Sequence, residues 1–411
     1  SSTAGHQQLG RCGDHASGFR PDQRRRLPAL SSASIEFSVT FLNPTGNFVL
    51  HFDGVIDAGA PGSDFSTALS LSYCESATIT NTGQFLGGAR LFDATKIRFE
   101  NLGLVELPSA NFSAPPSLWA LLGDEVFFEN QGTFTGSGSL FWGGSNTFRN
   151  SGDVASADGM VFVLDSLRST QAHLTFENTG AMSFENIHYV NPGLEFAEAF
   201  DGSSLAPRLA ANVANSGSIT SQQEAALESQ LRLLLDNSGL IEVISGDTAI
   251  EANSIEARRD TITNSGTIIG DVRLGKGHDL FDGTGGTVEG VVFGNQGWDR
   301  LIGGDGADDL RGGNGWDTIS GGDGSDRIIG GRGNDTLTGG RGADLFTFGA
   351  TAGHDVITDW EDHLDLIRVN QLGLTNVAAL APALSEANGD VLIDWTQLGG
   401  LGTRTIAGAA G

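Results

Sequence analysis

The chain is poor in several residue types, and each shortage excludes a class of protein. It has two cysteines, Cys12 and Cys74, in 411 residues, too few for a disulfide scaffold; whether they pair is open. Basic residues number 23 against 50 acidic ones, giving a formal net charge of −27. A phosphate backbone needs a basic face, so nucleic acid is excluded as an expected partner. No apolar run approaches the roughly 20 residues of a transmembrane helix. The start, SSTAGHQQLG, contains neither Met nor an apolar core, so no signal peptide is visible there. None of the eight histidines is followed by Glu, which removes the H-E-x-x-H zinc-protease helix, and no G-x-S-x-G is present.

Glycine, in contrast, is abundant, with 60 copies. Much of it is ordered. From Gly294 to Thr347 a nine-residue pattern, G-G-x-G-x-D-x-U-x with U a large apolar residue, runs six times without a gap: GNQGWDRLI, GGDGADDLR, GGNGWDTIS, GGDGSDRII, GGRGNDTLT and GGRGADLFT. The glycines allow tight bends with positive φ. The last three positions read as a short strand whose apolar residue points inward: Leu301, Leu310, Ile319, Ile328, Leu337 and Phe346. The sixth position is always Asp: Asp299, Asp308, Asp317, Asp326, Asp335 and Asp344. Stacked turns would line these carboxylates up, and they would repel unless a cation sat among them. Carboxylate and carbonyl oxygens together make a ligand set for calcium, not for zinc or copper.

This repeat resembles the hemolysin-type (RTX) calcium-binding family, which folds as a parallel β-roll. The resemblance implies two nonapeptides per coil, with turns on alternate sides. Same-side aspartates then stand eighteen apart, in one row of Asp299, Asp317 and Asp335 and another of Asp308, Asp326 and Asp344. Just upstream, LGKGHDLFD at 274–282 is a nonapeptide with Leu274 replacing the first Gly, which adds Asp279 as a further candidate calcium ligand.

A weaker repeat occupies residues 79–270, in the form apolar-x-Asn-x-Gly-x-apolar. Its copies are ITNTGQF, FENLGLV, FENQGTF, FRNSGDV, FENTGAM, VANSGSI, LDNSGLI and ITNSGTI, with Asn at 81, 101, 130, 150, 178, 215, 237 and 264. Asn and Gly both tolerate left-handed backbone, so N-x-G reads as a corner between two strands with apolar inward faces. Spacings of 20–37 residues suit the coils of a parallel solenoid, in which aligned Asn side chains form a ladder. A β-sandwich with ordinary turns is the alternative. These copies resemble strand-turn units of bacterial adhesins and autotransporter passenger domains, which implies a surface or secreted scaffold.

The expected architecture is all-β: a right-handed parallel β-solenoid continuing into a calcium-binding parallel β-roll with a C-terminal cap. The expected divisions are a flexible tail at 1–30, the solenoid at 31–270, the roll at 271–347 and a closing region at 348–411. That last region, beginning FGATAGHDVITDWEDHLDLIRV and followed by a short helical stretch, continues the acidic spacing through Asp355, Asp359 and Asp365. It resembles the segment that follows RTX repeats in proteins exported by type I secretion; a plain cap is the alternative.

These features lead to the expectation of a secreted or cell-surface calcium protein, non-catalytic and adhesive or structural. Its partners would be calcium, the type I export apparatus and, as a further candidate, extracellular polysaccharide. The alternative is a β-helix lyase or epimerase carrying an RTX export module, for which Glu185, His188 and Tyr189 form the densest candidate cluster.

Overall fold

The computed structural model describes residues 37–40, most of 47–106, 119–190 and 210–369, and the strands at 384–387, 390–394 and 403–406. No helix occurs among them. The expected helical stretch near 370–383, the N-terminal tail and both cysteines lie outside the described residues. The chain divides into two compact units, residues 1–212 and 213–411.

In the first unit each coil consists of three strands, and successive coils pair in parallel. One stack contains Ser76–Asn81, the end of Gly88–Asn101, the end of Trp119–Asn130, Ser145–Asn150 and His173–Asn178. The second contains Gln84–Leu86, Leu104–Glu106, Thr133–Gly136, Asp153–Ser156 and Ala181–Phe184. The third includes Ser139–Gly143, Met160–Leu164 and Ile187–Val190. The pairing is in register, so the repeat's apolar positions become columns. Ile79, Phe99, Phe128, Phe148 and Phe176 are fully buried above one another. From Phe99 onward their rings stack at 5.4, 5.3 and 5.0 Å, a geometry that adds about 0.5–1.5 kcal/mol per pair beyond burial.

The Asn positions form the expected ladder. Asn81 Nδ2 donates to Asn101 Oδ1 at 2.7 Å, and the same bond links Asn101 to Asn130, Asn130 to Asn150 and Asn150 to Asn178. The second unit repeats it from Asn215 to Asn237 and from Asn237 to Asn264. The main-chain carbonyls of Asn81, Asn101, Asn130, Asn150, Asn215 and Asn237 also accept the N–H groups of the next coil's two corner residues, as Asn101 does from Gln131 and Gly132.

One expectation about this corner is corrected. Neither its Asn nor its Gly has a left-handed backbone: positive φ occurs at neither Asn101 nor Asn130, nor at Gly103 or Gly132. The glycine is required by close approach. A Cβ on Gly132 would run into the carbonyl oxygen of Gly103 directly beneath it, and Gly152 stands in the same relation to Gly132.

The second unit contains the conversion between the two repeats. Its first coils still have three sides. Ser218–Ser221, Leu240–Val243, Thr267–Ile269 and Thr287–Glu289 stack as one parallel sheet, and that sheet ends at Glu289. The other two sides continue without interruption. One apolar column runs Leu235, Ile262, Phe281, Leu301, Ile319, Leu337, Ile357. The other runs Ile250, Val272, Val292, Leu310, Ile328, Phe346, Ile367. The nonapeptides are thus a solenoid coil that has lost its third strand. The far end is closed by Thr403–Ile406, which pairs in parallel with Asp355–Ile357 and antiparallel with Asp390–Asp394, itself antiparallel to Leu384–Ala387.

The stacked corner generates a prediction. Gly132→Ala forces backbone apart and is expected to cost about 1–3 kcal/mol. Asn130→Ala leaves the Asn101 amide and the Asn150 carbonyl without their ladder partner and is expected to cost a similar amount. Gln131→Ala, on the exposed corner residue between them, should change stability by less than about 0.5 kcal/mol. Urea unfolding midpoints of the three variants check the order; equal midpoints would remove the close-approach argument.

Candidate calcium column

The aspartates of the nonapeptides occupy two rows, one at each edge of the roll. Every row is joined by one recurring bond: the backbone N–H of an Asp donates to Oδ1 of the Asp in the next coil. On the first edge, Asp279 donates to Asp299, Asp299 to Asp317, and Asp317 to Asp335, at 2.8–2.9 Å. On the second, Asp308 donates to Asp326 and Asp326 to Asp344, both at 2.8 Å. Spacings of 18 residues within the nonapeptides confirm two repeats per coil.

Both rows extend past the pattern from which they were read. The first continues from Asp335 to Asp355, and the second from Asp344 to Asp365. Upstream, Asp260 donates to Asp279 Oδ1, and Asp260 Oδ1 in turn accepts the N–H of Leu233. Asp260 was not among the expected site residues. Its signal was present, since Asp260-Thr261-Ile262 repeats the D-x-U of the nonapeptide, but it overlaps the start of an N-x-G copy. Asp359 also enters, accepting the N–H groups of Gly339 and Gly340.

The second carboxylate oxygen is where the chemistry lies. Oδ2 of Asp260, Asp279, Asp299, Asp317, Asp326 and Asp344 is buried and has no hydrogen-bond partner. Asp308 differs, being half-buried with its Oδ2 accepting from Gly304. Each orphaned oxygen of the nonapeptides faces the first Gly of its own repeat. A Cβ on Gly294 would stand 2.5 Å from Asp299 Oδ2 and 2.6 Å from the carbonyl oxygen of Gly312. Gly312 and Gly321 stand likewise between their own Asp Oδ2 and the carbonyl of the next same-side Gly, and Gly339 faces Asp344 Oδ2. Glycine therefore keeps open a space into which a carboxylate and a main-chain carbonyl both project. At Asp279 the corresponding residue is Leu274, which is fully buried, so that space carries a side chain.

No three acidic, His or Cys side chains converge on one point among the described residues. The donor set is instead one carboxylate oxygen per repeat, supplemented by main-chain carbonyls. All are hard oxygen donors, the kind that calcium takes at 2.3–2.6 Å in flexible geometry. The residues present fit that ion.

Burial shifts the carboxyl groups as an ion-free column requires. Desolvation pushes Asp279 up to about 8, Asp317 and Asp326 to about 7, and Asp299 to about 6, against the pull of the backbone N–H bonds. Neighbouring aspartates add to the rise at Asp279, Asp317 and Asp326. Asp260 is raised to about 7 by the same burial. Glu185 lies outside the described residues, as do the side chains of His188 and Tyr189, so that cluster has no described geometry.

A pH dependence follows. Groups whose folded pKa is raised stabilise the metal-free fold fully below their ordinary carboxyl range. That contribution is lost as pH rises through about 6–8. Chelated protein should therefore melt at a lower temperature at pH 8.5 than at pH 5.5. Protons and calcium compete for the same oxygens, so the calcium midpoint should rise about tenfold or more over the same drop in pH. Calorimetric scans with and without chelator at the two pH values test both signs.

Residues 293–328 and 320–357 match the family model of the RTX calcium-binding nonapeptide repeat. No curated protein matches the chain. The matched segment coincides with the coils in which glycine opens the space beside each buried carboxylate. Residues 293–357 thus carry nonapeptide repeats of the RTX calcium-binding type, which supports calcium as the ion of this segment.

Proposed function

We propose that the protein is secreted and acts outside the cell as a non-catalytic adhesin or structural protein whose roll folds as it binds calcium. The observation that carries the calcium step is the buried, unpartnered Oδ2 repeated at Asp299, Asp317, Asp326 and Asp344. Burying a charged oxygen with no partner costs several kcal/mol, and the cost recurs along each row. A calcium ion shared between coils removes it. Binding and folding then become one event, with stability set by free calcium. Asp279, Asp308 and Asp335 complete the proposed ligand set, with Asp279 the weakest because Leu274 crowds it.

Calcium-dependent folding gives such a protein a location switch. In calcium-poor cytosol the nonapeptides remain unfolded and fit for passage through an export channel; outside, they fold. The RTX-like text of GHDVITDW and HLDLI supports type I export. So does the acidic spacing, which the described closing strands continue through Asp355 and Asp365. The three-sided solenoid supports the scaffold role. Its apolar columns and Asn ladder are complete without any ion, so it persists wherever the roll does not.

Three experiments test this reading. Circular dichroism of the full chain should lose part of its β signal in EGTA and regain it on adding calcium, while the N-x-G coils retain theirs. Asp317→Asn should raise the calcium midpoint severalfold, and Asp305→Asn, at an exposed variable position, should leave it unchanged; identical behaviour of the two would reject the sixth-position ligand. Deleting residues 350–411 should trap the protein inside cells carrying a type I apparatus, and undiminished export would reject that route.

A further inference from the structure

The two edges of the roll are not alike. Beside the first row of aspartates, the fifth position of each repeat carries His278, Trp298, Trp316 and Asn334 in succession. The third position of the same loops carries Lys276, Gln296, Asn314 and Arg332, each in register above the last. All eight are exposed. On the second edge the fifth position holds Ala307, Ser325 and Ala343, and the third holds Asp305, Asp323 and Arg341. At its exposed third and fifth positions the first edge thus presents aromatics, amides and cations and no carboxylate, in a chain with 50 acidic residues against 23 basic ones.

The aromatic pair is exposed and held in place. Trp298 and Trp316 are 57% and 56% accessible, with parallel rings 5.2 Å apart. His278 lies 5.3 Å from Trp298 and accepts its backbone N–H through Nδ1. A Cβ on Gly315 would stand 3.3 Å from Cδ1 of Trp298, and one on Gly333 3.3 Å from Cδ1 of Trp316, so the edge of each indole lies beside a glycine of the next coil. Around them, cations flank both ends. Lys276 stands one coil before Trp298, and Arg332 one coil after Trp316; Arg259, exposed, precedes His278 by one coil. At about 4.8 Å per coil, Lys276 and Arg332 are roughly 14 Å apart.

We propose that this edge is a binding strip for an acidic polysaccharide, with the indoles of Trp298 and Trp316 against sugar rings and Lys276 and Arg332 against uronate carboxylates. The amides of Gln296, Asn314 and Asn334 supply donors and acceptors for hydroxyl groups between them. A purely structural aromatic ladder has no use for rings more than half open to water, nor for an edge cleared of carboxylates. A neutral glycan would leave the flanking cations without a role. The strip exists only when the coils are stacked, so the proposal rests on the calcium reading above and adds a partner to it.

The test uses the full chain in calcium, with a galacturonate hexamer as the probe and a neutral cello-hexaose and a short single-stranded oligonucleotide as comparators. Titration calorimetry reads binding, and calcium content is measured on the same samples. The expected result is binding of the hexamer that is lost on chelation. It should weaken by about tenfold or more in W298A/W316A and in K276Q/R332Q, and remain unchanged in D305N/D323N, with calcium content equal in all. Failure of calcium-loaded protein to bind the hexamer would overturn the strip and leave the calcium reading intact. So would binding that survives both edge variants, or that is lost in the opposite-edge variant, where calcium bridges would act. Equal binding of cello-hexaose or of the oligonucleotide would overturn the uronate assignment. Loss of calcium from W298A/W316A, with K276Q/R332Q binding normally, would assign the indoles to the fold instead. Absence of calcium from the unaltered chain would remove both readings together.

Discussion

Everything in this chain depends on in-register stacking of one coil on the next. Stacking copies each position onto its own kind, so a residue must be compatible with a column of itself. Phe and Ile meet that condition by packing. Asn meets it because an amide is both donor and acceptor, so Asn101 can give to Asn130 while taking from Asn81. Asp does not meet it. A carboxylate only accepts, and the one donor that the stack offers it, the backbone N–H of the preceding Asp, satisfies Oδ1 alone. The remaining Oδ2 is what makes the roll depend on something outside the chain. In the proposed reading, replacing an Asn ladder by an Asp ladder changes a self-sufficient solenoid into one that needs a cation.

The hand-over shows how that change is made without a break in the core. The third sheet ends at Thr287–Glu289, but the apolar columns through Phe281 and Val292 continue into the nonapeptides. The Asp row begins before the switch, at Asp260, in a coil whose corner is still Asn264. For one coil both devices coexist. The loss of the third side removes apolar area from each coil, and the coils that lose it are those with a row of carboxylates on each edge. The loss of apolar area and the buried, unpartnered carboxylate oxygens therefore arise in the same part of the chain.

How much of this was legible follows from what kind of signal each feature leaves. The rows of Asp and the inward column of Leu301, Ile319 and Leu337 were readable because both repeat at a fixed spacing. The Asn ladder was readable from eight copies despite spacings of 20–37 residues, since the corner is constant and only the loops vary. The reason for the corner glycine was misjudged. Sequence shows that Gly recurs, but only stacked coordinates distinguish a backbone needing positive φ from one too close to its neighbour for a Cβ. Asp260 escaped because its D-x-U is embedded in a different repeat. The exposed Trp edge escaped because the fifth position counts as variable along the chain. It becomes a pattern only when alternate repeats are placed on the same side.

That last point bears on how such a roll can carry specificity. The first, second, fourth, sixth and eighth positions are committed to turning, to the ion and to the core. The third and fifth are free, and stacking sorts them by edge, so alternate repeats write two independent surfaces. On one, Asp305 and Asp323 leave small residues and negative charge; on the other, Trp298 and Trp316 lie between Lys276 and Arg332. Neither surface alters the shared framework beneath. Substitutions at these positions can therefore change the surface of an edge while the Asp rows, built from other positions of the same nonapeptides, remain as they were.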